Sequence, residues 1–231
     1  MTEFILVRHG STRNLELQQW QGWSSVPLSA LGREQANALA NWIAGQRSID
    51  RVFSSPIARA RETADIIAAA TGATVQELDA LRERMTATRL WGVAHADSRD
   101  YAAAARDHRF DPGWRYEDEE PWPEVAARVL DVISLMRNLS GNPSSTEASF
   151  VLVTHGITLR MIAAALLTGA ESPVSDWLRV SDNLGPLECC SVTRFVADGD
   201  NFHLARWNEI AGADAVQVSS FLESGQQSGQ S

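Results

Sequence analysis

Two histidines, each followed by glycine, stand where chemistry would be expected in this chain. His9 follows the apolar run 4–7 and the basic Arg8, and His155 follows the apolar run 150–153. A neutral imidazole held in one tautomer can act as a nucleophile in phosphoryl transfer, and a nearby arginine favours that neutral form. Taken alone, the Arg8-His9-Gly10 tripeptide is better explained by a structural histidine at a strand end. A catalytic role for His9 therefore depends on which other residues the fold brings close to it.

A third segment supplies a second arginine. Arg59 follows the short apolar run 52–53 and falls in the first turn of a predicted helix, where the helix N-terminus already favours an anion. The planar fork of arginine matches phosphate oxygens, although a salt bridge on the helix face is a fair alternative for Arg59. Two histidines and two arginines together indicate a phosphate site that needs no metal.

A zinc site is the rival explanation for the two histidines. Zinc would want a third ligand at metal spacing, and the sequence shows no such cluster. We interpret the remaining histidines, His95, His108 and His203, as bystanders. The prediction is therefore a site with no metal and no cofactor.

Composition removes several classes of function. All 20 basic residues among the 231 are arginine, so lysine Schiff bases and the Walker-A phosphate loop are excluded. The net charge of −9 and a pI near 5.0 argue against nucleic acid or an anionic membrane as partner. The adjacent Cys189 and Cys190 are typical of a reducing compartment, and no apolar segment is long enough to span a membrane. These features predict a cytoplasmic protein.

The elements that must position these residues alternate between strand and helix. This pattern predicts an α/β fold, a three-layer α/β/α sandwich around a mostly parallel central sheet. Helices are expected after Ser29, from Pro56 and after His155, with Tyr101–Arg109 as a further helix, and strands are expected at 3–8, 50–54, 75–78, 150–154, 188–196 and 202–208. We predict one domain over 1–218 with a lid insertion at 84–121, and a disordered tail at 219–231. Ligands of such sheets bind beyond the carboxyl ends of the strands, where His9, Arg59 and His155 would meet.

The chain resembles the histidine phosphatase superfamily, also called the phosphoglycerate mutase-like family. Each matching motif is weak alone, but the set occurs in family order and spacing over about residues 3–210. The matching segments are Leu6-Val7-Arg8-His9-Gly10-Ser11-Thr12-Arg13-Asn14, Gln21-Gly22-Trp23, Leu28-Ser29-Ala30-Leu31-Gly32, Ser54-Ser55-Pro56-Ile57-Ala58-Arg59-Ala60, Leu81-Arg82-Glu83 and Thr154-His155-Gly156.

The resemblance implies a phosphoglycerate mutase-like fold and a role for each matching residue. His9 would be phosphorylated, Glu83 would protonate the leaving oxygen, and the phosphoryl oxygens would be bound by Arg8, Arg59 and His155. The pocket would be completed by Asn14, Gln21, Gly22 and Gly156. The expected ligand is a small-molecule phosphate monoester, and a homodimer is left open.

Three functions remain open from the sequence. The first is a phosphatase that hydrolyses phospho-His9, the second is a cofactor-dependent phosphoglycerate mutase, and the third is a non-catalytic module that binds phospholigands. Intact site residues argue against the third. The mutase would need a lysine and a longer, more basic insertion, whereas this insertion carries Asp118-Glu119-Glu120, so the phosphatase is favoured.

The insertion also suggests a hypothesis about specificity. Its aromatic residues would wall the pocket around an apolar leaving group, and its acidic run would disfavour bisphosphorylated sugars. The alternative is that the aromatic side chains pack the lid onto the core. The residues concerned are Trp91, Tyr101, Trp114, Tyr116 and Trp122.

Overall fold

The computed structural model describes residues 1–141 and 147–210, which build one six-stranded sheet in the order β3-β2-β4-β1-β5-β6. The strands are β1 Thr2–Arg8, β2 Arg51–Ser54, β3 Val75–Glu77, β4 Ala148–Thr154, β5 Ser191–Asp198 and β6 Asn201–Ile210. The first four run parallel to one another, while β5 is antiparallel to β1 and to the edge strand β6. The carboxyl ends of β1, β2 and β4 therefore lie side by side at one edge.

Helices connect the strands. They are α1 Arg13–Glu16, α2 Ala30–Gln46, α3 Ala58–Thr71, α4 Arg99–Asp107, α5 Trp122–Gly141, α6 Gly156–Thr168 and α7 Val174–Asn183, with 3₁₀ turns at Asp79–Leu81, Thr88–Leu90 and His95–Asp97. Ser29 caps α2 through its side chain, which accepts a hydrogen bond from the Gly32 amide. Gly72 ends α3 in the left-handed conformation, with φ of 75°.

The sheet is covered on both faces. On one face Phe4, Leu6 and Leu152 join a buried cluster with α5, α6 and α7, and on the other Ile5 and Val153 join a second cluster with α2 and α3. Strands buried on both faces explain the unbroken apolar runs in β1 and β4. The predicted three-layer α/β/α sandwich is confirmed.

The bounds of three elements differ from the predicted ones. Helix α3 begins at Ala58 instead of Pro56, because Ile57 keeps an extended ψ of 130° and donates its amide to Ser55 Oγ at 3.2 Å. Strand β5 begins at Ser191, so Cys189 and Cys190 lie in a turn before the strand, and both are free thiols. The helix expected at 101–109 spans Arg99–Asp107.

The insertion at 84–121 has a small core of its own. Ala87, Leu90 and Tyr101 are buried there, with Trp20 and Trp114 packed against them. The predicted tail at 219–231 lies outside the described residues, and the single domain over 1–218 stays a prediction. In the part of the chain that the structure describes, no helix is long and apolar enough to cross a membrane.

Candidate active site

The two histidines are held together by the sheet. Strands β1 and β4 pair in parallel register with Arg8 opposite Thr154, and the His9 amide donates to the Thr154 carbonyl at 3.0 Å. The imidazole rings meet edge to face with centroids 5.1 Å apart, and both side chains are buried. The sequence pattern of two strand ends in His-Gly thus produces one site.

His9 is locked in one tautomer. Its Nδ1 lies 2.7 Å from the Gly10 carbonyl, which can only accept, so Nδ1 carries the hydrogen. Nε2 is left with a lone pair and accepts from Arg59 Nε at 3.2 Å. Burial, then the charges of Arg59 and Arg8, hold the pKa of His9 well below its usual 6.5. His9 is therefore a neutral imidazole with an unprotonated Nε2 lone pair, which is the form a nucleophile requires.

His155 is oriented by Ser55. The Ser55 hydroxyl accepts the Ile57 amide at 3.2 Å and lies 2.9 Å from His155 Nε2. Burial, then the Arg59 charge, lower the pKa of His155 well below 6.5, so the ring is neutral. The other ring nitrogen, Nδ1, is buried and makes no hydrogen bond within residues 1–141 and 147–210. A buried polar nitrogen without a protein partner fits contact with a ligand.

Arg59 is almost completely buried and is fixed by backbone carbonyls. Its Nη2 donates to Gly22 at 2.8 Å and its Nη1 to Ser24 at 3.3 Å. Burial lowers the pKa of Arg59 to about 10, so the guanidinium remains charged near neutral pH. Gly22 has φ of 48°, and a Cβ there would overlap the Trp91 indole nitrogen, so only glycine presents this carbonyl to Arg59.

Arg8 and Glu83 lie around the N-terminus of α6. Arg8 donates Nη1 to the Leu187 carbonyl, and its buried Nε has no acceptor within the described residues. The Glu83 carboxylate accepts the amides of Ile157 at 3.2 Å and Thr158 at 3.1 Å. Gly156 lies between the two charges, since a Cβ there would be 3.8 Å from Arg8 Nε and 3.9 Å from Glu83 Oε2.

A cavity of about 290 Å³ opens onto these groups. Seven of the nine predicted site residues line it, namely Arg8, His9, Gln21, Gly22, Arg59, Glu83 and Gly156. His155 lies behind His9, and Asn14 lies in α1 next to the wall residue Leu15. Gln21 is held by the Thr12 hydroxyl, which donates to its side-chain oxygen at 2.8 Å.

Several wall residues were missed by sequence reasoning. His95, interpreted above as a bystander, lines the cavity and packs against Trp20 with ring centroids 4.3 Å apart. Arg84 and Arg160 also line the cavity. The irregular insertion gave no periodic pattern from which the position of His95 could be predicted. Arg160 lies one helical turn after His155-Gly156, so its position near the site could have been predicted from the sequence.

The hypothesis about the insertion stays a prediction. None of its five aromatic side chains lines this cavity, but Trp114 and Trp122 line a neighbouring cavity of about 190 Å³ that shares Arg84, Ile157 and Arg160 with it. Tyr101 packs inside the insertion against Trp20 and Tyr116. The acidic run is also turned away from the cavity, because Glu119 is buried in an ion pair of 2.8 Å with Arg84 and Glu120 pairs with Arg128 at 2.8 Å. The alternative of lid packing describes Tyr101 and Tyr116.

The assembled charges suit a phosphate dianion. Arg8, Arg59 and His9 line the cavity together with Glu83, and preorganised donors of this kind stabilise the charge of a transferring phosphoryl group. Within residues 1–141 and 147–210, no group of three or more His, Cys, Asp or Glu is arranged to hold a metal ion.

Comparison with known proteins agrees with this chemistry. The family model "Histidine phosphatase superfamily (branch 1)" matches residues 4–210. The chain is 31% identical over 221 residues to glucosyl-3-phosphoglycerate phosphatase of Mycobacterium tuberculosis (strain CDC 1551 / Oshkosh), covering 94% of this chain and 96% of the relative. It is 27% identical over 226 residues to phosphoglycerate mutase-like protein 4 of Arabidopsis thaliana, covering 96% and 90%.

A solved structure gives the same result. The mycobacterial glucosyl-3-phosphoglycerate phosphatase in complex with VO3 superposes with a TM-score of 0.74 at 31% identity, covering 90% of this chain and 98% of that one. The matching family model, the shared fold and the ordered motifs around His9 and His155 agree on one conclusion. This chain belongs to the histidine phosphatase superfamily.

Proposed function

We propose that the chain hydrolyses small-molecule phosphate monoesters in two steps through a phosphohistidine on His9. In the first step the His9 Nε2 lone pair attacks phosphorus, the bond from phosphorus to the ester oxygen breaks, and that oxygen takes a proton from Glu83. In the second step water attacks phosphorus, Glu83 takes its proton back, and the phosphorus–nitrogen bond breaks to release inorganic phosphate. The observation that carries this proposal is the His9 tautomer, fixed by the Gly10 carbonyl at 2.7 Å.

The surrounding residues stabilise the transferring group. Arg8 and Arg59 balance the negative charge, as Mg²⁺ does in kinases. His155 adds a neutral imidazole, whose Nδ1 has no protein partner in the described chain. We assign Gln21 and Gly22 to the wall of the phosphate pocket and Gly156 to the gap that lets a ligand approach Arg8 and Glu83. Asn14 is proposed to act from α1 at the same wall.

We propose Glu83 as the proton donor to the leaving oxygen. Its carboxylate is fixed by two amides of α6 on the cavity wall. Protonation of the leaving oxygen matters because an alkoxide leaves poorly. We propose that Glu83 carries this proton while a phosphate dianion is bound beside it.

A metal-independent assay tests the nucleophile. We expect p-nitrophenyl phosphate turnover to continue in the presence of a chelator and to fall by roughly 10³-fold or more in His9→Ala. His203→Ala is the matched control, because His203 is exposed on β6 away from the site. Activity that disappears with chelator would contradict the metal-free mechanism, and activity that survives in His9→Ala would contradict the assignment of His9.

The mutase is the second candidate, since one relative is named a phosphoglycerate mutase-like protein. A mutase must retain the dephosphorylated molecule and return the phosphoryl group to its other hydroxyl. The chain has no lysine and its insertion carries the acidic run Asp118-Glu119-Glu120, and we favour hydrolysis. Incubation of the protein with 3-phosphoglycerate and catalytic 2,3-bisphosphoglycerate distinguishes the two functions. A mutase forms 2-phosphoglycerate, whereas a phosphatase releases free phosphate.

Expectations about the cellular setting are also proposals. Two free cysteines and a net charge of −9 support a cytoplasmic protein that does not bind nucleic acid. Separation by size of the purified chain, with light scattering, distinguishes a monomer from a homodimer.

A further inference from the structure

The loop that follows His9 is held by the first turns of α2. The Ser11 carbonyl accepts the Ser29 amide at 2.9 Å, and the Ser11 amide donates to Gln35 Oε1 at 2.9 Å. Gly32, one turn before Gln35 on the same helix face, permits this close approach, because a Cβ there would overlap the Ser11 carbonyl oxygen. The spacing of three residues therefore directs the Gln35 side-chain oxygen at the Ser11 backbone.

This hydrogen bond fixes the same peptide unit that orients His9. The Ser11 nitrogen and the Gly10 carbonyl belong to one planar peptide, whose two polar groups point in opposite directions. The amide donates to Gln35, and the carbonyl accepts from His9 Nδ1 at 2.7 Å. Because the unit is planar, a rotation that turns the amide away from Gln35 also turns the carbonyl away from His9. Gln35 therefore acts on the imidazole through the backbone.

The preceding peptide unit has a different anchor. The Gly10 amide donates to the Thr63 hydroxyl at 3.2 Å, and that hydroxyl donates to the Arg59 carbonyl at 2.8 Å. Thr63 thus holds the peptide between His9 and Gly10, which does not contain the Gly10 carbonyl. Within residues 1–141 and 147–210, Gln35 and His9 are the side chains that hydrogen-bond the peptide between Gly10 and Ser11.

The Gly10 carbonyl matters most while phosphorus is attacked. As His9 Nε2 forms its bond to phosphorus, positive charge develops on the ring and makes the Nδ1 hydrogen a stronger donor. Burial and the neighbouring arginines lower the pKa of His9, whereas the hydrogen bond to Gly10 raises it and so favours a positively charged ring. Hydrogen bonds in a chain polarise one another, so the bond to Gln35 makes the Gly10 carbonyl a better acceptor. Gln35 therefore contributes more to the transition state than to the resting site.

We propose that Gln35 is a positioning residue for the phosphoryl transfer, which holds the peptide between Gly10 and Ser11 so that His9 keeps its hydrogen on Nδ1 and its lone pair on Nε2. This inference rests on the proposed function, the hydrolysis through His9. Gln35 is not among the described residues that line the cavity, so it acts on the nucleophile and not on the phosphate.

Gln35→Met tests the role of the acceptor. Methionine forms helices about as well as glutamine, and the Gln35 side chain is half-buried, so the variant should fold. We expect kcat/KM for p-nitrophenyl phosphate to fall by roughly 3- to 10-fold, the factor for losing one hydrogen bond between uncharged groups. The inhibition constant of inorganic phosphate should stay at the wild-type value, because the groups that bind phosphate are unchanged. Gln35→Glu keeps an oxygen acceptor and should restore kcat/KM.

Gln46→Met is the matched control. Gln46 is the exposed last residue of α2 and lies roughly 16 Å along the helix axis from Gln35, so its substitution should leave the kinetics at the wild-type values. Thermal melting of each variant identifies any loss of folding. If Gln35→Met does not fold, Gln35→Ala, with the best helix former, carries the test.

Nitrogen-15 NMR of labelled histidine side chains measures the tautomer without substrate. The signals of His9 are those that disappear in His9→Ala. Wild type should show His9 with its hydrogen on Nδ1, whereas Gln35→Met should show a second population with the hydrogen on Nε2. A purely structural role of Gln35 in holding α2 would not change these populations.

The outcomes separate the two proposals. If Gln35→Met keeps the wild-type kcat/KM, or loses it while the His9 signals stay unchanged, Gln35 only packs α2 and the inference is overturned. Loss of phosphate inhibition in parallel with kcat/KM, or failure of Gln35→Glu to restore the rate, would also overturn it. If His9→Ala keeps its activity, the proposed hydrolysis itself fails, and that result does not depend on Gln35.

Discussion

Acidification should destabilise this protein through the two site histidines. His9 and His155 are 3% and 0% exposed, and burial is the main cause that lowers the pKa of each well below 6.5. In the unfolded chain both regain a pKa of about 6.5, so below that pH the unfolded state binds more protons than the folded state. The free energy of unfolding therefore falls as the pH falls from 6.5 toward the folded-state pKa values.

The size of the effect follows from the same linkage. At pH 5.5 an unfolded histidine is about 90% protonated, which costs the folded state about 1 to 1.5 kcal/mol per buried histidine relative to pH 7.5. The two together contribute about 2 to 3 kcal/mol, a large share of the stability of a typical domain. Each single variant, His9→Gln or His155→Gln, should remove about half of this pH dependence.

Urea unfolding at pH 7.5, 6.5 and 5.5 measures the effect. The useful quantity is the change in unfolding free energy with pH for each protein, because a substitution also shifts absolute stability. Other titrating groups, including His95, are shared by all variants and cancel in the comparison, while His203→Gln controls for loss of an exposed imidazole. Equal pH dependence in wild type, His9→Gln and His155→Gln would refute the reasoning.

Two further pairs of substitutions test the packing around the site. Gly32→Ala should destabilise the protein by several kcal/mol, because its Cβ would overlap the Ser11 carbonyl, whereas Gly45→Ala, which meets nothing within 4 Å on the same helix, should stabilise it by about 1 kcal/mol. Opposite signs in thermal melting support this, and equal signs contradict it. Glu119→Gln should cost about 3 to 5 kcal/mol by leaving the buried Arg84 unpaired, against at most about 1 kcal/mol for Glu117→Gln in an exposed pair. Chemical unfolding compares them, and similar losses would show that burial of the Arg84 pair does not matter.

The sheet and its histidines were predictable because their signals are local. Buried parallel strands appear as unbroken apolar runs, and His9 and His155 directly follow two of them. Once those strands are neighbours in parallel register, the histidines must meet. This part of the fold needed no knowledge of distant contacts.

The insertion was not predictable for the opposite reason. Its short helix and turns carry little periodicity, so nothing in the sequence revealed that Glu119 turns inward to Arg84, which is 35 residues away along the chain. The contact of Gly22 with Arg59 could not be predicted either. Gly22 was assigned to the pocket, but its carbonyl accepts from an arginine 37 residues away along the chain. Contacts between irregular segments are decided by tertiary packing, which single-residue patterns do not record.

The pairing of β1 with β4 has a consequence for how such an enzyme can diversify. The separation of the two imidazoles is inherited from the spacing between neighbouring strands, about 4.8 Å, and is therefore a property of the main chain. Exchange of the insertion at 84–121, which begins after Glu83, would alter which alcohols are accepted and leave that spacing untouched. Reaction centre and substrate selection are thus separable parts of the molecule, and one can be redesigned while the other is kept.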